Sequence, residues 1–330
     1  ASAIALNTKY VGNTIVDLSW SQYWSSDFSK YEIYRDGSQI TTIENRTVTF
    51  YRDSGLTKGV TYGYTIYVYN STGLLVDSGT TSAKTGDVHG TITRDTTWTA
   101  ASSPYVQTGS VTVQKGVHFT IQPGVKVDNA ALYIYETLNV KSVSFNGFVE
   151  IYNSNDSSIQ DCSFDCSGAD VSCLHLESCN GAKIIGNTVS GSNWSGISIS
   201  GGGNNILTDN IVANNGFNGI TLSDSSNNTI HNNIVSDNND RGIGLYSSNN
   251  SILTDNTALN NSCGIALDTS SNNILTNNSA SYNYDGFFIT GSNNILTNNI
   301  ASYDNSGFEL GLSLIHISEP TRLGMISYAV

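Results

Sequence analysis

Nearly the same seven residues recur five times in the second half of the chain: NNILTDN at 204–210, NNTIHNN at 227–233, NSILTDN at 250–256, NNILTNN at 272–278 and NNILTNN at 293–299. Taking the second apolar residue as a marker extends the series to Ile159, Ile184, Leu207, Ile230, Leu253, Leu275 and Leu296, separated by 25, 23, 23, 23, 22 and 21 residues. Three residues after each marker stand Cys162, Asn187, Asn210, Asn233, Asn256, Asn278 and Asn299. Five after stand Phe164, Val189, Val212, Val235, Ala258, Ala280 and Ala301. Later in each unit a Gly precedes an apolar-x-apolar triplet, as in GISI (196–199), GITL (219–222) and GIAL (264–267). A period of this length, built from short strands and turn residues without helical spacing, predicts one coil of a solenoid per repeat.

The energetics explain why the unit must be repeated. Four inward aliphatics per coil, such as Leu207, Val212, Ile220 and Leu222, contribute roughly 1.5 to 3 kcal/mol each on burial. Ordering about 22 residues costs on the order of 1 to 2 kcal/mol apiece in backbone entropy. A single coil therefore cannot stand alone, and stacking must supply the balance. Stacking also sets identical side chains above one another, and an Asn amide can bond the Asn above, the Asn below and the backbone of a tight turn. The column Asn187, Asn210, Asn233, Asn256, Asn278 and Asn299 is thus expected to be a structural ladder at a coil corner rather than a row of ligands.

The first 87 residues read differently. TIVDLSW (14–20), KYEIYRDG (30–37), SQITTI (38–43) and YGYTIYVYN (62–70) alternate apolar and polar residues between turn signals, the pattern of an antiparallel β-sandwich. With Trp20 on the second strand and LTKGVTY at 56–62, this stretch resembles a fibronectin type III module, a family of spacer and binding domains. Residues 88–130 are expected to form a linker and the opening coils, since GSVTVQKGVHFTIQPGVKVDNAALYIYETLNV (109–140) supplies strands that lead directly into the repeats of 131–311. The final stretch, 312–330, carries the only Met and no Asn, resembles translated sequencing-adapter read-through, and is expected to be non-native. On that reading the array continues beyond this sequence, as in a metagenomic gene fragment.

From 109 to 310 the chain resembles the right-handed parallel β-helix repeat superfamily, in particular its NosD-like and CASH-type (carbohydrate-binding and sugar hydrolase) branch. The resemblance implies an all-β fold, a fibronectin type III-like sandwich followed by a solenoid. It leaves several functions open. The first is an extracellular, cell-surface or carbohydrate-associated repeat protein with a structural or binding role. The second is a glycan-active enzyme of polysaccharide lyase or glycoside hydrolase type, and the third a NosD-like periplasmic protein related to copper.

Charge narrows the partners. A formal net charge of -13 with only 14 Lys and Arg in 330 residues argues against nucleic acid, which is held by clustered basic side chains. No apolar run reaches the roughly 18 residues of a membrane span. A polysaccharide or surface glycan is the expected partner and an extracellular setting the expected location, with sequons at Asn45, Asn70, Asn155, Asn193, Asn227, Asn249, Asn260 and Asn277 compatible with it.

On the outward side of the apolar-x-apolar strand, one column is expected to run Glu150, His175, Ser198, Thr221, Gly244, Ala266, Phe288 and Glu309. Its neighbour runs Tyr152, Glu177, Ser200, Ser223, Tyr246, Asp268 and Thr290. Titratable groups concentrate only at Glu150, Tyr152, His175 and Glu177. Two carboxylates beside a His can in principle do acid/base work on a glycosidic bond, making Glu150, His175 and Glu177 the catalytic candidates. Tyr152, Tyr246 and Asp268 are the candidate ligand-binding residues. Between 131 and 311 the only Lys and Arg are Lys141, Lys183 and Arg241, and none is expected beside that pair of carboxylates, which argues against a lyase. Asp237, Asp240, Asp268 and Asp285 offer hard oxygens suited to Ca²⁺, but at one per coil they make no shared cage, so no cofactor is expected. Cys162, Cys166, Cys173 and Cys179 crowd into the 25-residue unit. Their spacing suits a disulfide staple better than a zinc or copper site, with three pairings open.

Overall fold

The computed structural model describes residues 4–311 together with the backbone of a strand at His316–Ser318. It divides into two compact units, one formed by residues 1–93 and 104–112 and the other by 94–103 and 113–330.

In the first unit the alternating segments become two antiparallel sheets. One places Phe50–Ser54, Ile15–Trp20, Leu6–Val11 and Asp87–Ile92 side by side. The other orders Ser38–Ile43, Phe28–Arg35, Thr61–Asn70 and Leu75–Lys84. Their alternate residues fill one core of Leu18, Trp20, Tyr31, Ile33, Leu56, Tyr64, Ile66 and Val68, and Trp20 meets Tyr31 edge to face at 5.6 Å. Within the LTKGVTY segment, Leu56 is buried and the Tyr62 hydroxyl accepts the Thr57 N–H at 3.1 Å. Buried acids are paired: Arg52 grips Asp17 with two bonds, and Asp53 accepts from Arg35 and the Tyr64 hydroxyl.

The second unit is a parallel β-helix. Each coil contributes three short strands, and each strand pairs in register with its equivalent in the next coil. The first stack is a nine-stranded sheet from Asn139–Lys141 to His316–Ser318. Every marker residue from Ile159 to Leu296 lies in it, each opposite the next. The second stack runs from the first half of Ser144–Tyr152 through Ser163–Asp165 to Ile300–Ser302. The third runs from the latter half of Ser144–Tyr152 through Leu174–Glu177 to Ser306–Leu310 and holds the apolar-x-apolar triplets. The opening coils are Thr96–Trp98 against Phe119–Ile121, and Lys126–Ile134 against Ser144–Tyr152. Most of the stretch expected to be non-native lies outside the described residues. The backbone of His316–Ser318 pairs with Ile295–Thr297, one coil earlier.

The asparagines work in doublets. The first residue of each doublet is exposed and in the left-handed conformation, as at Asn204, Asp209 and Asn214 in one coil and Asn227, Asn232 and Asp237 in the next. Asn and Asp reach that conformation more readily than other non-glycine residues. The second residue is buried and joins a ladder. Asn210 donates from Nδ2 to Asn233 Oδ1 at 2.9 Å and to the Ile184 carbonyl at 2.8 Å, while its own Oδ1 accepts the Asn187 N–H at 3.0 Å. The same pattern runs from Asn187 to Asn299. Two further ladders escape a reading based on one column: Asn205, Asn228, Ser251, Asn273 and Asn294 before the first strand, and Asn215, Asn238, Asn261, Asn283 and Asp304 after the second.

The glycine at the start of the third-stack strands, from Gly196 to Gly286, has a steric cause. A Cβ on Gly264 would lie 2.6 Å from the Gly286 carbonyl oxygen, 2.8 Å from Ala280 Cβ and 3.0 Å from the ladder amide of Asn283. Inside the coils, residue size shifts along the axis. The buried position of the second stack goes from Phe145 and Phe164 through Val189, Val212 and Val235 to Ala258, Ala280 and Ala301. The first buried position of the third stack goes from Leu174 through Ile197, Ile220, Ile243 and Ile265 to Phe287 and Phe308. What one wall loses, the other gains, which keeps the interior filled.

Candidate functional site

The outer side of the third stack holds the residues singled out in the sequence. Glu150 lies opposite His175 and Tyr152 opposite Glu177 in adjacent coils, and His175 and Glu177 continue to Ser198 and Ser200. The Tyr152 hydroxyl donates to the Glu150 carboxylate. Burial, then that bond to a carboxylate, pushes its phenol well above the usual range. His175 Nε2 stands 3.4 Å from Glu177 Oε2. Tyr135, in the previous coil, stacks on Tyr152 with centroids 4.9 Å apart. The four residues therefore make two contacts, a carboxylate with a phenol and a carboxylate with an imidazole.

Glu150, His175 and Ser198 form the floor of an open groove of about 280 Å³ whose wall is Asp170, Val171, Ser172 and Trp194. Asp170, Val171 and Ser172 belong to the longest unit, and Trp194 to the one that follows it. Cys166 and Cys173 are joined in a disulfide with Cα atoms 5.6 Å apart, which closes the loop that carries Asp170 to Ser172. Asn193 Nδ2 bonds Asp170 Oδ1 at 2.9 Å and ties the loop to the next coil. Trp194 is 55% exposed and stacks on Phe217 one coil further, centroids 5.2 Å apart. Sequence reasoning marks neither aromatic ring. The signal is available only as equal positions in successive repeats, outside the strands that the periodicity defines.

The expected four-cysteine staple is half corrected. Cys162 and Cys179 are free and buried, because each occupies an inward corner position. Cys162 heads the ladder, its N–H donating to Asn187 Oδ1 at 3.0 Å, and Cys179 Sγ points at the Ile151 carbonyl. Burial pushes both thiols up, away from the thiolate form that a metal would require.

Tyr246 and Asp268 are opposite each other and are joined by Arg241. The guanidinium lies 4.7 Å over the Tyr246 ring and 3.3 Å from Asp268 Oδ2. Asn218 Nδ2 bonds the Tyr246 hydroxyl at 3.2 Å, and burial raises that phenol. Arg241 is thus engaged in this internal cluster, several coils from Glu150. Of the acids suggested for Ca²⁺, Asp268 is held by Arg241, and Asp237 Oδ1 accepts from Asn260 at 2.6 Å. Among the described residues no three His, Cys, Asp or Glu side chains converge on a metal site. No helix among them is long and apolar enough to cross a membrane.

An exposed indole beside carboxylates, an imidazole and hydroxyls in an open groove suits a ligand that presents both apolar C–H faces and many hydroxyls. Comparison with curated proteins finds no match. Among solved structures the chain is similar to a variant of the periplasmic alginate epimerase AlgG, at 18% identity and a TM-score of 0.54, over 67% of this chain and 62% of that one. It is also similar to the A-module of the Azotobacter vinelandii mannuronan C-5 epimerase, at 12% identity and a TM-score of 0.43, over 67% of this chain and 83% of that one. A third is a Yersinia enterocolitica Family 28 exopolygalacturonase, at 12% identity and a TM-score of 0.31, over 96% and 86%. The chain spans less than two thirds of the AlgG variant, and at these identities the likeness is one of fold. The family model described as "Right handed beta helix region" matches residues 172–313, the stretch that holds six complete coils of those described above.

Proposed function

We propose that the protein is an extracellular, carbohydrate-associated repeat protein whose β-helix binds a glycan in the groove at Glu150, His175 and Trp194, with the N-terminal sandwich serving as a fibronectin type III-like spacer. The observation that carries this reading is the exposed Trp194, held flat by Phe217 beside the acid-lined floor. An unsupported exposed tryptophan would cost solubility, whereas a braced one beside polar groups makes a sugar platform. The AlgG variant of like fold is an alginate epimerase, which is in keeping with a saccharide as the ligand class.

A second reading, glycan cleavage or epimerisation, draws on the His175 and Glu177 pair beside Glu150. The two are separated by screening purified protein against neutral and acidic polysaccharides, scored for both retention and chemical change. Binding alone predicts retention that Trp194→Ala lowers about tenfold and no product. Catalysis predicts product formation that Glu150→Gln or Glu177→Gln abolishes. Neither retention nor product from any polysaccharide would reject both.

A further inference from the structure

A second cluster of exposed rings lies in the last of the described coils. Tyr282 and Tyr303 are 58% and 78% exposed and stack with centroids 4.8 Å apart and planes 8° apart. Tyr284, two residues from the first, is 63% exposed. Both stacked tyrosines have left-handed backbone, with φ of 58° and 61°. The same corner in preceding coils is held by Asn214, Asp237 and Asn260, residues suited to that conformation. An aromatic residue gains nothing there from its backbone. Strain of this kind, coupled to solvent-exposed apolar surface, points to a site that contacts something.

The location is informative. Backbone bonding links Trp194 to Phe217, Phe217 to Asp240, Asp240 to Ser262, and Ser262 to Tyr284 in equivalent places of successive coils. Tyr284 therefore occupies the coil position of Trp194, four coils on, at a distance along the axis of roughly 19 Å from four steps of about 4.8 Å. The charge here is mostly negative: residues 242–311 contain no Lys, Arg or His, and besides Asp268, which Arg241 holds, they carry Asp255, Asp285, Asp304 and Glu309. A polyanion would be repelled from these coils.

We infer that Tyr282, Tyr284 and Tyr303 form a second sugar-binding subsite, and that the ligand spanning it and the Trp194 groove is a neutral polysaccharide laid along the coil axis. The inference rests on the glycan reading above and adds the charge class and polymeric length of the ligand. Two linked subsites raise apparent affinity through effective concentration, so a long chain must bind more tightly than a fragment that reaches only one of them.

The test uses the full chain and two ligands of matched length, a neutral glucan and a polygalacturonate, in affinity electrophoresis, with Tm measured in parallel. Tyr282→Asn/Tyr303→Asn restores the residue type of the neighbouring coils, so it should fold with an equal or higher Tm while losing about tenfold in retention by the neutral polymer. Tyr284→Ser, which copies Ser262, should lose retention in the same way. Short glucan fragments, which reach one subsite at a time and keep the Trp194 groove, should be affected much less than the long polymer by both changes. Unchanged retention of the long neutral polymer by these variants overturns the second subsite while leaving the groove intact. Retention of polygalacturonate alone overturns the neutral assignment, and a lowered Tm with full retention assigns the rings to packing. Loss of self-association on a sizing column without any sugar retention assigns them to contact with a second copy. Binding of neither polymer rejects the glycan reading itself.

Discussion

Adjacent asparagines in this chain do different jobs, and substitution should expose the difference. Asn233 is buried, donates to Leu207, His231 and Asn256, and accepts from Asn210. Asn233→Ala leaves several buried backbone groups unpaired and should cost about 3 kcal/mol, read from urea unfolding. Asn232 is exposed with φ of 52°, so Asn232→Gly, which keeps that conformation at no steric cost, should stay within about 0.5 kcal/mol. At Asp304 the ladder carries an acid. Oδ1 accepts from the Asn283 N–H and Nδ2, while Oδ2 is buried with no hydrogen-bond partner among the described residues. Burial raises the carboxyl, so the fold holds the proton more tightly than the unfolded chain does. The stabilisation is then full below the unfolded carboxylate range and fades as pH rises through the raised folded value. Asp304→Asn supplies the missing donor and should stabilise by about 1 kcal/mol near neutral pH, an advantage that shrinks at about pH 4. A constant advantage across that range, measured by thermal melts, would show that the proton plays no part.

At the scale of strands and corners, the glycine at the start of the third-stack strands, from Gly196 to Gly286, leaves no room for a side chain. Gly264→Ala drives a methyl into the next coil's carbonyl and its ladder amide and should cost about 3 kcal/mol or more, with loss of cooperative unfolding by circular dichroism. These elements were legible because their causes are periodic. The inward Leu207, Val212, Ile220 and Leu222, the strand register and the Asn187 to Asn299 ladder all follow from spacing alone. The other two ladders are present in the same spacing but hidden by Ser251 and Asp304, which do an asparagine's work under another letter. The groove was half legible. Its floor lies on the strands, so Glu150 and His175 could be aligned from the repeats. Its wall comes from the enlarged unit and from Trp194 in a turn, where the chain follows no period. The cysteines mislead for a related reason: nearness in sequence says little when two of four occupy different inward corners.

The whole β-helix is held by contacts between neighbouring coils, so its stability is close to a sum over nearest neighbours. Removing one complete unit, residues 228–250, should therefore leave a folded, slightly less stable protein, because Ser251 then takes the place of Asn228 in its ladder and restores the register. Removing half a unit should abolish the cooperative transition seen by circular dichroism. The complementary size shift of the two interior walls bears on a different matter. Ladders so alike would let the chain fasten one coil too early or too late with nearly every amide bond satisfied, and hydrogen bonding alone would not notice. Phenylalanine at opposite walls of the two ends, Phe145 and Phe164 against Phe287 and Phe308, makes such a mistake sterically audible. The interior acts as a serial number, stamped in volume, that tells each coil which neighbour is its own.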